Sequence, residues 1–75
     1  MYVQYPYTLT KEQNGSTFIQ FVDFPSGVAE ASPEEDAHKI AQDMIEGMVE
    51  VYKEEGLPFP KASPVLDMDS IVVSL

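Results

Sequence analysis

SPEEDAHKIAQDMIEGMVEVYKEEGLP, residues 32–58, decides the fold. It opens on helix-start chemistry. Ser32 suits an N-cap, Pro33 the first helical position, and Glu35 closes a capping box by reaching back to Ser32. Glu34, Glu35 and Asp36 favour the positive end of a helix dipole. Ala37, Ile40, Ala41, Met44, Ile45, Met48, Val51 and Tyr52 then recur at three- and four-residue spacing and make one apolar stripe. Gly56 ends the helix and Pro58 prevents its return. The reading predicts a helix of about 23 residues, about 35 Å long. Replacing Ser32 by Ala is then expected to cost about 1 kcal/mol. Gly47 inside the helix costs about 1 kcal/mol relative to Ala, and permits a close backbone approach.

Strands flank this helix. Residues 2–9 alternate: Val3, Tyr5, Tyr7 and Leu9 point one way, Tyr2, Gln4, Pro6 and Thr8 the other. Pro6 lacks an N–H, so its nitrogen must face an unpaired position or a bulge. The polar stretch Lys11–Gly15 ends in Asn-Gly, a turn signal, and Ser16–Val22 reads as the second arm of an antiparallel hairpin. Phe18 and Ile19 are adjacent and must face opposite sides. One face takes Ile19 and Phe21, the other Phe18 and Val22. A single helix covers one face, so apolar residues on the second predict a partner or another copy there. Asp23-Phe24-Pro25-Ser26-Gly27 is a turn, Val28–Ala31 a short third strand, Leu57–Pro60 a stiff extended segment, and Ile71–Leu75 a fourth strand. The order β-β-β-α-β gives an α+β fold: a two-layer sandwich with one helix on a small, mostly antiparallel sheet.

Composition narrows the function. The 75 residues are 44% hydrophobic, enough for one small domain over residues 1–75. There is no cysteine, which removes disulfides and thiolate metal sites. Thirteen acids against four Lys and no Arg give a net charge of −9. That charge repels free nucleic acid and attracts a basic partner. No apolar run approaches the roughly 20 residues of a membrane span, and the N-terminus does not read as a signal peptide. Both predict a cytoplasmic protein that does not contact membranes.

Catalytic signals are weak. A two-metal nuclease centre would draw on Asp23, Glu30, Glu46, Asp67 and Asp69, yet the first strand holds no acid and most of these sit at strand ends or on the helix exterior. His38 is the sole histidine; without a Cys or a second His it makes no metal signature, and it reads as a surface residue. Asn14-Gly15-Ser16 is not a phosphate loop. Phe18 and Phe21 lack neighbouring basic residues and read as packing, not base stacking. Neither a metal nor a cofactor is expected.

Three segments together resemble the N-terminal domain of HicB-type antitoxins. They are Tyr5-Pro6-Tyr7-Thr8-Leu9, Phe21-Val22-Asp23-Phe24-Pro25, and the capped helix closing with Glu55-Gly56-Leu57-Pro58-Phe59-Pro60. The family's usual Asp-x-Pro-Gly turn is altered by Ser26 between Pro25 and Gly27. The resemblance implies a partial, catalytically dead ribonuclease-H-like fold that binds and silences a HicA-type toxin, a small basic ribonuclease that cuts mRNA. It also implies that operator binding belongs to a C-terminal DNA-binding domain absent from this chain. The expected partner-binding residues are Asp23, Phe24, Pro25, Ser26 and Gly27, with Glu30 and Phe18; a homo-oligomer is expected as well. The competing readings are a stand-alone oligomeric HicB-like domain without a toxin, and a divergent ribonuclease-H-like nuclease.

Overall fold

A computed structural model describes residues 1–75. The chain runs β1 (Tyr2–Lys11), β2 (Thr17–Phe21), β3 (Val28–Ala31), α1 (Ala37–Glu55), β4 (Asp69–Ser74). The predicted α+β order holds, with the strands arranged β3-β2-β1-β4 and every neighbouring pair antiparallel. β4 therefore lies beside β1 and not beside β3. β1 is long enough to serve two partners in succession. Its second part pairs with β2, from Tyr7↔Phe21 to Lys11↔Thr17, and its first with β4, from Tyr2↔Ser74 to Tyr7↔Asp69.

The alternation read from residues 2–9 sets the two faces. Tyr5 and Tyr7 point towards α1 and are buried, whereas Tyr2 on the opposite face is 77% exposed. Leu9, on the helix side, lies near the end of β1 and is exposed. Pro6 falls where the β1–β2 ladder runs out. Val22, one residue past β2, donates its N–H to Pro6 O at 3.2 Å, and no return bond is required of the Pro nitrogen. Between β1 and β2, Gly15 takes φ +89° and Asn14 Oδ1 accepts from Ser16 N at 2.9 Å, as the Asn-Gly turn signal predicts.

The helix begins later than the sequence suggests. It is 19 residues long, and its N-cap is Asp36, whose carboxylate accepts from His38 N at 3.0 Å and Lys39 N at 3.4 Å. Ser32 is not the cap. Ser32 to Glu35 instead form a separate turn, with Glu35 N donating to Ser32 O at 3.0 Å and the Glu35 carboxylate accepting from Ser32 N at 2.9 Å. Asp36 at φ −81°, ψ 108° is extended and separates this turn from the helix. Serine and aspartate both cap helices well, and the aspartate four residues on captures the helix start. Asp36→Ala is therefore expected to cost about 1 kcal/mol, and Ser32→Ala under about 0.5 kcal/mol. Thermal melts in which Ser32→Ala is the more damaging of the two would contradict this assignment.

The Ser32 N–H also holds the Glu35 carboxyl below its ordinary range. Stability from that bond is present above the unfolded value and is lost as pH falls through the depressed one. At the far end, Gly56 takes φ +66°; its N–H reaches Lys53 O at 3.4 Å and that of Leu57 reaches Tyr52 O at 2.9 Å, closing the helix as the glycine predicts.

The core lies between α1 and the sheet. Tyr5, Tyr7, Ile19, Phe21, Ala31, Ile71 and Val73 supply the sheet side, Ala41, Ile45 and Val49 the helix side, and Phe24 closes one end. The buried helix line is 41, 45, 49, one turn apart. Val51, part of the predicted stripe, lies too far round and is nearly half exposed, while Val49, outside that stripe, is buried. No helix is long and apolar enough to cross a membrane.

Candidate partner-binding site

The Asp23–Gly27 turn is built from the core outward. Phe24 is fully enclosed, its ring edge-on to Tyr5 at 4.8 Å and to Tyr52 at 5.4 Å. Edge-to-face pairs of this kind add about 0.5–1.5 kcal/mol each beyond burial. Gly27 N donates to Phe24 O at 2.8 Å and Val28 N to Ser26 O at 3.0 Å, so the turn is closed by its own backbone. A Cβ on Gly27 would stand 3.1 Å from Phe24 Cβ and 3.2 Å from Met48 Sδ, closer than ordinary packing allows. Phe24 and Gly27 thus hold the turn from beneath, and neither presents a surface to a partner. Pro25 and Ser26 are exposed at its tip.

Asp23 has a different employment. Its carboxylate accepts from Ser63 N at 2.8 Å and from Ser63 Oγ at 2.5 Å. It neither caps its own turn nor stands free; it fastens the segment after α1 to the sheet. Tyr5 adds a second tie, donating its hydroxyl to Pro60 O at 2.7 Å, and Phe59 stacks on Tyr52 at 5.7 Å. Burial, then the Asp23 carboxylate, then Tyr52 push the Tyr5 phenol above its ordinary value, so it stays a donor.

Phe18 and Glu30 lie opposite each other in the β2–β3 register, on the face away from α1. Phe18 is half-buried there and Glu30 is exposed. Glu30 is the single charge among the strand residues of that face, which also carries Tyr2, Gln4, Pro6, Thr8, Thr10, Gln20, Val28, Ser70, Val72 and Ser74. The neighbouring Glu30 carboxyl pushes the Glu12 carboxyl above its ordinary range. Two carboxylates so close repel once both ionise, and a cation set between them relieves the repulsion.

No three His, Asp or Glu side chains gather where a metal ion could be held. Asp23 is engaged with Ser63, Glu30 stands on the open face, and Glu46 is exposed on α1 at the groove beside β4. His38 is exposed but not free: its Nδ1 lies 2.5 Å from the Tyr7 hydroxyl. Burial, then Asp69 and Asp36, push the Tyr7 phenol above its ordinary value. Sequence reading missed this pair, as it missed Ser63 and the Glu12–Glu30 contact, because each joins residues distant in the chain.

Fold and site together describe a small acidic α+β protein with a turn closed by its own backbone, an open sheet face and a sheltered aromatic core. The sequence model of a family described as the HicB_like antitoxin of bacterial toxin-antitoxin systems matches residues 4–75, and the chain belongs to that family. No curated protein matches the chain.

Proposed function

We propose that the chain binds and silences a basic HicA-type mRNA-cleaving toxin and performs no catalysis of its own. Membership of the antitoxin family over residues 4–75 carries this reading, and the net charge of −9 supports it. A ribonuclease must present positive charge to its RNA, and an acidic protein laid over that surface competes with the substrate directly. The contact surface in this reading is the tip of the Asp23–Gly27 turn at Pro25 and Ser26, with Phe18 and Glu30 on the open face. Asp23, Phe24 and Gly27 shape it. The Glu12–Glu30 pair is the place for a toxin Lys or Arg.

The chain is proposed to act in the cytoplasm without binding nucleic acid or membrane itself. Self-association belongs to the same reading. Tyr2 and Val72, 77% and 60% exposed, lie on the β1–β4 half of the open face, where no charged strand residue would face a second copy.

The test uses the product of a neighbouring reading frame encoding a small basic protein with one key histidine. Purified chain should suppress its mRNA cleavage, and the association rate should fall as salt rises. Glu30→Lys should weaken binding about tenfold more than the same reversal at Glu54, on the far part of α1. Equal effects would leave only diffuse attraction. Absence of binding to any such product would falsify the antitoxin reading for this chain.

A further inference from the structure

The two outer strands of the sheet are finished differently. Along an antiparallel ladder every second residue turns its N–H and C=O away from the strand it pairs with. On the β3 side, Phe21 N donates to Gly27 O, which places odd-numbered residues in the ladder and turns Val28, Glu30 and Ser32 outward. Two of those three N–H groups are satisfied within the chain, Val28 by Ser26 O and Ser32 by the Glu35 carboxylate. On the β4 side, Leu75 N donates to Met1 O at 2.8 Å, so odd-numbered residues face β1 and Ser70, Val72 and Ser74 turn outward. No turn or loop carbonyl of the chain receives these three N–H groups.

Natural sheets blunt such edges with Lys, Pro, a bulge or a cover. β4 reads Asp-Ser-Ile-Val-Val-Ser and carries none of the first two. Beside it lies an open groove of about 610 Å³ between α1 and β4, walled in part by Asp43, Glu46, Gly47, Glu50, Val72 and Ser74. Val72 and Ser74 aim their side chains at the opposite face, so their place in this wall means that the groove reaches the strand edge itself. Nothing lies within 4 Å of where a Gly47 Cβ would stand, so the approach that this glycine permits is not used by the chain. Lys39 neutralises Asp43 at 2.7 Å, which leaves Glu46 and Glu50 as the uncompensated charges.

We propose that the β4 edge is a docking site for an extended, Lys- or Arg-bearing strand of a partner protein. The strand continues the sheet through Ser70, Val72 and Ser74, and alternate side chains on its helix side enter the groove against Glu46 and Glu50. Charge selects this occupant over a second copy. Two copies paired edge to edge would bring two Glu46–Glu50 walls together at a net charge of −9 each. The site is distinct from the Asp23–Gly27 turn, and it rests on the antitoxin reading only for which protein brings the strand.

A short peptide alternating Lys and Val, titrated into the full chain while amide exchange is followed residue by residue, tests the proposal without any toxin. A failure of the antitoxin reading is thus separate from a failure here. Exchange at Ser70, Val72 and Ser74 should slow about tenfold or more, with Glu30 unchanged. Glu46→Gln combined with Glu50→Gln should weaken the peptide about tenfold. Val72→Pro should abolish binding yet keep the fold, because the N–H it removes lies outside the β1–β4 ladder. Circular dichroism checks that second half. Protection at Glu30, Tyr2 or Gln4 instead would overturn the proposal. So would equal binding of a peptide with Thr in place of Lys, or protection of the β4 edge that rises with protein concentration in the absence of peptide.

Discussion

Phe24→Ala is expected to leave much of the chain unfolded at room temperature. The ring is fully buried and meets three others, Tyr5, Phe21 and Tyr52, at centroid distances of 4.8, 6.4 and 5.4 Å. Truncating such a ring typically costs about 3–5 kcal/mol, through lost transfer energy and the cavity left behind. A domain of this size holds on the order of 5 kcal/mol in total. Urea denaturation should show the loss directly. A change below about 1 kcal/mol would place the ring outside the core. Phe24→Leu retains most of the apolar volume and should fold with a smaller loss. If Phe24→Leu also keeps partner binding, the ring's part in the turn is support from beneath.

Asp23→Ala is expected to cost about 2–3 kcal/mol, because two hydrogen bonds to a charged acceptor vanish and Ser63 N–H loses its partner. In thermal melts of a domain this small that is roughly 10 °C or more. Ser63→Ala removes the hydroxyl bond alone and should cost less. The two changes share one contact, so Ser63→Ala made on top of Asp23→Ala should add almost nothing. Full additivity in that cycle would mean that the carboxylate and the serine act independently. Because Asp23 carries this anchoring role, a charge reversal there disturbs fold and binding together. Glu30, exposed and outside the core, is the cleaner probe of the partner surface.

The sequence carried its local signals faithfully. Alternation in residues 2–9 placed Tyr5 and Tyr7 on the buried face, and the doublet Phe18–Ile19 required apolar groups on both sides of the sheet, as the structure shows. Gly15 and Gly56 sit at positive φ where turn and helix end were read. The helix start was misplaced because Ser32-Pro33-Glu34-Glu35 satisfies a capping pattern while forming a free-standing turn. The bond that defines the pattern, Glu35 carboxylate to Ser32 N, is present in either case. The neighbour of β4 was not legible, since a crossover leaves no periodic trace of which edge it reaches. Within the candidate site, Pro25, Ser26, Phe18 and Glu30 lie where a partner can reach them. The enclosure of Phe24 depends on Tyr5 and Tyr52, and the employment of Asp23 on Ser63, forty residues away. Side-chain pairs at such separations have no signature in one sequence.

The divided use of β1 has a consequence for how the chain comes to be folded. The meander β1-β2-β3 joins neighbours in sequence and closes short loops, so it forms by local search. The β1–β4 ladder joins Tyr2 to Ser74 and Tyr7 to Asp69, which makes it the most distant contact in the domain and the entropically slowest to close. A nascent chain therefore keeps the first part of β1 without its strand partner until residues 69–74 leave the ribosome. Ile71 and Val73, two of the core residues, arrive only then. Synthesis to residue 60 yields a helix and a three-stranded meander with an unsealed hydrophobic seam, a species that chaperones and proteases recognise. Cooperative folding is thus postponed until β4 has been made, and any pause or nick before it leaves the whole domain, not a part of it, unformed.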